Sequence, residues 1–299
     1  DSEFAAVTLP HTMQLAKKHC PGANGVYQGV GWYRRYFTLD ESYAGKKIQI
    51  QFEGVMTDSD VYLNGEKIYT RNGGYVGFTV DITDKVKVGE TNVLALRVSK
   101  VDNPNTPPGK PEASLDFHYW GGIYRDVNMI VTEKTYVTDV LEADKAGGGG
   151  IFLTYPQVSK EEAVVNVKTD VANDNEESHE VYVKQILEDK GGAAVVEQES
   201  EKQTIAAGES YQFAQDLTVE NPHLWGIDDP YLYNLVTEVY EDGVKVDEVE
   251  TNAGIRTISE RRESLSSRRK QTPGISECRG CCAELHAVPG CSADKTKRI

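Results

Sequence analysis

The sequence predicts an all-β protein: a jelly-roll-like β-sandwich, then an immunoglobulin-like β-sandwich, then an irregular tail. Three observations carry this. Short runs of alternating apolar and polar residues recur between turn residues along most of the chain. Two junctions, Asn64-Gly65 and Asp242-Gly243, are dipeptides suited to two-residue hairpin turns, because both residues tolerate positive φ. No stretch holds apolar residues at sustained helical spacing.

The first series of strands begins with the β-rich run "WYRRYFTL" (32–39). "KKIQIQFEGV" (46–55) follows, with Ile48, Ile50 and Phe52 on one face. "SDVYLNGEKIY" (59–69) reads as two strands around Asn64-Gly65. "FTVDIT" (78–83), "NVLALRVS" (92–99) and "YRDVNMIVTEK" (124–134) complete the set, a spacing that suits a jelly-roll or Greek-key sandwich. A second series runs from "AVVNVKTDVAN" (163–173) to "YLYNLVTEVYEDGVKVDEVETNAGIR" (231–256), after the "GGGG" loop at 147–150. Its length and strand number suit an immunoglobulin-like sandwich. The expected divisions are therefore 1–134, 135–258 and 259–299, the last without either period.

Composition narrows the function. Hydrophobic residues make up 39% and charged residues 26%, a globular balance. No apolar run is long enough to span a membrane, and no basic-then-apolar start marks a signal peptide. The formal charge is −15; nine Lys/Arg and five Asp/Glu fall in 260–299, so the tail is +4 and the rest −19. Such a body repels phosphate backbones, which argues against nucleic acid as a partner and leaves neutral sugars unpenalised.

Few motifs carry chemistry. No nucleophile elbow, P-loop or dinucleotide fingerprint appears, so no cofactor is expected. Cys278, Cys281, Cys282, His286 and Cys291 have the residue types of a zinc site but lack the turns that would aim them, and no metal is expected there. His11, beside Pro10, reads either as a site residue or as a hydrogen-bonded packing residue. "DFHYWGGIYRDV" (116–127) combines aromatic platforms with Asp and Arg, the types that ring sugar hydroxyls. The same residues also suit a core aromatic cluster with a Gly121-Gly122 turn.

Taken together, "VYQGVGWYRRYFTL", "FEGVMTDSDVYLNGEKI", "GGYVGFTVDIT", "NVLALRVSKVDN" and "YWGGIYRDVNMIV" resemble, in order, the N-terminal sugar-binding domain of glycoside hydrolase family 2. "NPHLWGIDDPYLYNLVTEV" followed by "DEVETNAGIRTI" resembles the end of that family's immunoglobulin-like second domain. "GWYRR" and "GGIYRDV" look closer to its β-galactosidases than to its β-glucuronidases.

The resemblance implies a retaining exo-β-glycosidase with two Glu carboxyls about 5–5.5 Å apart. Both belong to a (β/α)8 barrel of about 250 residues. Only the stretch 259–299 follows Ile258, so the expectation is a chain without its barrel, inactive alone, with no catalytic residue to nominate. The barrel of the family opens with a Phe-x-Leu-Asn-Gly-Lys strand pair where this chain has "SERRESLSSRRKQT". A one-base shift of plausible codons restores a similar segment, so the stretch around 260–290 is expected to be a frameshifted translation.

The resemblance also implies that the 116–127 loop reaches toward the barrel mouth. Asp116 matches an Asp that contacts the galactosyl unit, Asn24 takes the place of a substrate-contacting Asn, and Asn103 lies at the same edge. Arg125 and Asp126 are expected to anchor the loop. The expected partner is a β-galactoside or related glycan, with subunit contacts in a homo-oligomer. Two other readings stand beside it: a stand-alone carbohydrate-binding module, and a structural or adhesion sandwich without ligand.

Overall fold

The structure is a computed structural model that describes residues 4–13 and 27–258, together with the backbone of 296–298. Asn24, Cys20, the cysteine-rich stretch and the proposed frameshift all lie outside the described residues.

Among the described residues up to 134, the first sandwich has the strands β1 (Gly29–Thr38), β2 (Lys47–Phe52), β3 (Val55–Met56), β4 (Asp58–Leu63), β5 (Glu66–Arg71), β6 (Phe78–Asp81), β7 (Thr91–Lys100), β8 (Gly122–Ile123) and β9 (Val127–Thr132). One sheet has the order β1-β7-β4-β5, the facing sheet is β9-β2-β6, and β3 pairs with β8. The hairpin β4–β5 turns at Asn64 and Gly65, with φ of 52° and 88°, so the dipeptide adopts the left-handed conformation that the turn demands.

Period-2 alternation sets the core. Leu94, Leu96 and Val98 of β7 point inward with Val61 and Leu63 of β4, against Ile50, Phe52, Val80, Val127 and Met129 of the other sheet. Phe52, Phe78 and Tyr69 stack at centroid distances of 4.8 and 5.5 Å. Each such side chain contributes about 1.5–3 kcal/mol when fully buried. β2 departs from simple alternation, because Lys47 and Gln49 on its other face are buried too. The second sandwich covers that face.

The second sandwich comprises β10 (Thr135–Val137), a single helical turn α1 (Val140–Ala143), β11 (Ile151–Val158), β12 (Glu162–Asn173), β13 (His179–Glu188), β14 (Ala194–Glu199), β15 (Gln203–Ile205), β16 (Glu209–Glu220), β17 (Tyr233–Glu241) and β18 (Val244–Ala253). One sheet runs β10-β12-β11 with β16 also on β12; the other runs β14-β13-β17-β18 with β15 also on β13. Val165, Val167, Val183, Leu187, Phe213, Leu217 and Leu235 fill the space between them. Gln185 crosses that core, accepting from Thr237 Oγ1 at 2.7 Å and donating to Thr169 Oγ1 at 3.0 Å. Trp225 is half-buried at the edge of this core, with the Arg256 guanidinium 4.7 Å over its ring. Thr296–Arg298 forms a further strand, antiparallel to β9.

Lys47 joins the two sandwiches. Its Nζ donates to Asp81 Oδ2 and to Asp174 Oδ2, both at 2.8 Å, and lies 3.9 Å from Glu142. Burial works against the ammonium, but the hydrogen bonds to Asp174 and Asp81 prevail and hold its pKa above the ordinary lysine value. Burial also pushes the Glu142 carboxyl up, aided by the charges of Asp81, Asp139 and Asp174, against the opposing pull of Lys47.

Candidate functional site

The segment 101–121 between β7 and β8 is a long irregular connection containing a short 3-10 turn at Glu112–Ser114. Such a loop holds a shape only if its polar groups are satisfied. Here a buried carboxylate does most of that. Glu112 accepts from Lys100 Nζ at the end of β7, and the two side chains are 4% and 1% exposed. Glu112 Oε1 also pairs with His118 Nδ1 at 3.2 Å and accepts from the Tyr119 N–H at 3.4 Å. Its own N–H donates to Asp102 Oδ1 at 3.2 Å. Gln28 completes the knot, donating to Asp102 Oδ1 at 3.2 Å and to Glu112 Oε2 at 3.3 Å, and accepting from the Asp102 N–H at 3.0 Å.

Tyr119 sits over this ion pair, with Lys100 Nζ 3.7 Å from its ring centroid. Burial, with the negative charges of Asp102 and Glu112, pushes its hydroxyl up to about 12, so it remains a neutral donor. Gly121 packs against the Lys100 stem, where a Cβ would come within 2.6 Å of Lys100 Cβ. The Trp120 indole N–H is buried without an acceptor among the described residues, although the ring as a whole is half-buried.

A second knot lies on the same connection. Asp58, at the start of β4, accepts from Asn103 Nδ2 at 2.8 Å, Thr106 Oγ1 at 3.0 Å and the Gly73 N–H at 3.2 Å. Asn103 also donates to Thr106 Oγ1 at 3.0 Å and accepts from the Asn105 N–H at 3.0 Å. Both ends of its amide are therefore engaged inside the protein, and Asn103 acts here as a brace for the 103–106 turn.

Asp116 is placed differently. It is exposed, three residues before Tyr119, and its carboxylate has no hydrogen-bond partner among the described residues. The loop thus has a fixed base, with one carboxylate presented outward. Glu112 and Lys100 hold the base of the loop; of the pair expected to anchor it, Arg125 is exposed, and the Asp126 carbonyl accepts from the Glu53 N–H at 3.1 Å. His11 is a packing residue: its Nδ1 is 2.9 Å from Tyr33 Oη, and its N–H donates to the Ile123 carbonyl. The Met13 N–H donates to Gly121 O, so the segment 9–13 straps the end of the loop. Sequence reasoning missed Glu112, Lys100, Asp58 and Gln28. For Glu112, Lys100 and Asp58 the only signal was a charged residue at a strand end or beside Pro, which is common everywhere, and the uncharged Gln28 gave none.

Comparison with known proteins agrees with this architecture. The model of the glycosyl hydrolases family 2 sugar binding domain matches residues 4–133, and that of glycosyl hydrolases family 2 matches 151–256. A β-galactosidase of Bacteroides ovatus is 34% identical over 298 residues, covering 97% of this chain and 32% of its own length. A β-glucuronidase of Formosa agariphila is 28% identical, covering 88% of this chain and 28% of its own. Among solved structures, a glycosyl hydrolase family 2 member from Bacteroides cellulosilyticus superposes with a TM-score of 0.74 at 28% identity, covering 87% of this chain and 33% of that one. A Bacteroides uniformis β-glucuronidase gives 0.75 at 26% identity, with 86% and 30% covered. The chain spans about a third of the length of these relatives. Two consecutive family matches, in the order and on the folds described, show that the chain belongs to glycoside hydrolase family 2, of which it carries the sugar-binding and immunoglobulin-like domains.

Proposed function

We propose that the 101–121 loop forms part of the sugar pocket of a retaining exo-β-glycosidase with β-galactosidase specificity. The bond-breaking carboxyls would stand on a barrel outside the described residues, and no residue of this chain is assigned to them. The observation that carries the reading is Asp116: an exposed carboxylate with no hydrogen-bond partner among the described residues, on a loop anchored by a buried ion pair. A carboxylate can accept hydrogen bonds from two sugar hydroxyls at once, and a fixed loop supplies them without an ordering cost.

Charge favours a neutral sugar. Asp58, Asp102 and Asp116 all lie on or beside this connection, while Glu112 is neutralised by Lys100. A uronate carboxylate brought to that rim meets like charge, whereas a galactosyl unit does not. The 34% identity to a β-galactosidase supports the same choice.

Hydrolysis of chromogenic β-galactoside and β-glucuronide tests this. The purified chain should show no turnover above buffer; turnover would refute the assignment of chemistry to a separate barrel. In an enzyme in which these domains are joined to a family barrel, the galactoside should be preferred. There Asp116→Ala should lower kcat/KM by about 10–100-fold, the scale of a hydrogen bond to a charged group. Unchanged kinetics would remove Asp116 from the pocket, and preference for the glucuronide would overturn the specificity.

A further inference from the structure

A second cluster stands apart from the sugar-facing loop, where the β17–β18 hairpin meets the start of β13. The hairpin turns at Asp242 and Gly243, with φ of 49° and 83°. That turn brings Asp242 beside His179: Asp242 Oδ2 lies 2.8 Å from His179 Nδ1, and Asp242 Oδ1 accepts from the Glu180 N–H at 3.2 Å. The preceding residue, Glu241, places Oε1 3.8 Å from the same Nδ1. Candidate ligand atoms from all three residues lie within 4.8 Å of one another.

We propose that His179, Glu241 and Asp242 form a binding site for a divalent first-row transition-metal ion, for which Zn2+ is the probe. Three features support it. Ligands bound to zinc at about 2.1 Å with tetrahedral angles stand about 3.4 Å apart, and the two measured spacings bracket that value. Small side-chain rotations would meet it.

The donor set selects the ion class. An imidazole nitrogen with two carboxylates suits zinc and its neighbours, whereas calcium takes oxygen ligands alone.

Glu241 is also held from behind. Its Oε2 accepts from Thr135 Oγ1 on β10 and from Asn175 Nδ2 at 3.1 Å. Both supports come from outside the ligand trio, and they leave Oε1 turned toward the imidazole. Outer-shell partners of this kind orient metal-binding carboxylates. The surrounding charge is negative: Glu177 adds to Glu241 and Asp242, with Lys202 as the opposing cation.

The test is isothermal titration of zinc into the full chain, freed of metal by chelation. Cys278, Cys281, Cys282 and Cys291 are replaced by Ser so that thiols of the tail do not compete. One zinc per chain is expected. Affinity should fall by at least about 10-fold in His179→Ala and in Asp242→Asn, and by about 10-fold in Asn175→Ala, which touches no ligand atom of the ion. Anomalous diffraction from crystals grown with zinc should place a peak between His179, Glu241 and Asp242. Absence of saturable binding, affinity unchanged in His179→Ala, or a peak at another position would each overturn the proposal.

Discussion

Lys100 and Glu112 form an ion pair shielded from water, twelve residues apart, that ties the last residue of β7 to the loop presenting Asp116. An ion pair in this setting is costly to desolvate, and it is retained only where further hydrogen bonds satisfy the remaining lone pairs. Glu112 has them, from His118, Tyr119 and Gln28. The pair therefore fixes the position of a loop as well as its stability.

Breaking it from one side should be severe. Lys100→Ala or Glu112→Ala leaves the other charge buried, with an expected loss of about 3–5 kcal/mol in urea unfolding. The double replacement Lys100→Met with Glu112→Leu should recover part of that loss while leaving the loop less ordered by hydrogen exchange. Single variants that unfold at the wild-type urea midpoint would show that the pair does not hold this position.

Gly122 and Gly65 both have positive φ but should respond differently to alanine. At Gly122, with φ of 133°, a Cβ would meet Tyr33 Oη at 2.6 Å and the His11 carbonyl at 2.7 Å. At Gly65, with φ of 88°, it meets nothing within 4 Å. Gly65→Ala should cost about 1 kcal/mol, from backbone conformation alone. Gly122→Ala should cost about 2–4 kcal/mol, because the strap 9–13 must also shift. Equal thermal shifts for the two would contradict this.

The Lys47 seam should respond to pH in two directions. Burial raises Asp81, but hydrogen bonds from Lys47 and Thr83 outweigh it and hold the carboxyl below the ordinary range. Its contribution is present above the unfolded-state value and is lost as pH falls through the folded one. Glu142 is raised, so its ionised form opposes folding at neutral pH and the penalty lifts on acidification. Glu142→Gln should therefore melt higher than the wild type at pH 7 to 8, by roughly 2–4 °C for a gain of about 1 kcal/mol. The difference should shrink as the pH is lowered and wild-type Glu142 takes up a proton. A constant difference across the range would exclude this origin.

Asp116→Ala should leave stability within about 0.5 kcal/mol of the wild type, since the residue is exposed and its side chain makes no hydrogen bond among the described residues. A large drop in melting temperature would make Asp116 a structural residue and withdraw it from the sugar pocket.

Much of the fold was legible because it rests on local rules. Asn64-Gly65 and Asp242-Gly243 turn where two alternating runs meet, and Ile48, Ile50 and Phe52 share one face as their spacing requires. Other features were hidden because their cause is not local. Lys47 and Gln49 read as the wet face of β2, and only the arrival of α1 and Asp174 from the second sandwich buries them. The helical turn α1 is too short to show a period; Asp139 starts it by accepting from the Leu141 and Glu142 N–H groups. At the loop, Asp116 was singled out through family resemblance alone. Glu112 was not, because one Glu among many gains its role only from a lysine across the fold. The Asn103 amide is spent on Asp58, Thr106 and Asn105, contacts that its place after a strand does not announce.

The backbone strap from His11 and Met13 to Ile123 and Gly121 has a mechanical consequence. Tension applied at residues near Phe4 would load these two hydrogen bonds together with Leu9 and Met13, which pack against the first core. Loss of the strap would also withdraw Leu9 and Met13 from the first core, so the rim of the loop and the stability of the first sandwich share one fastening.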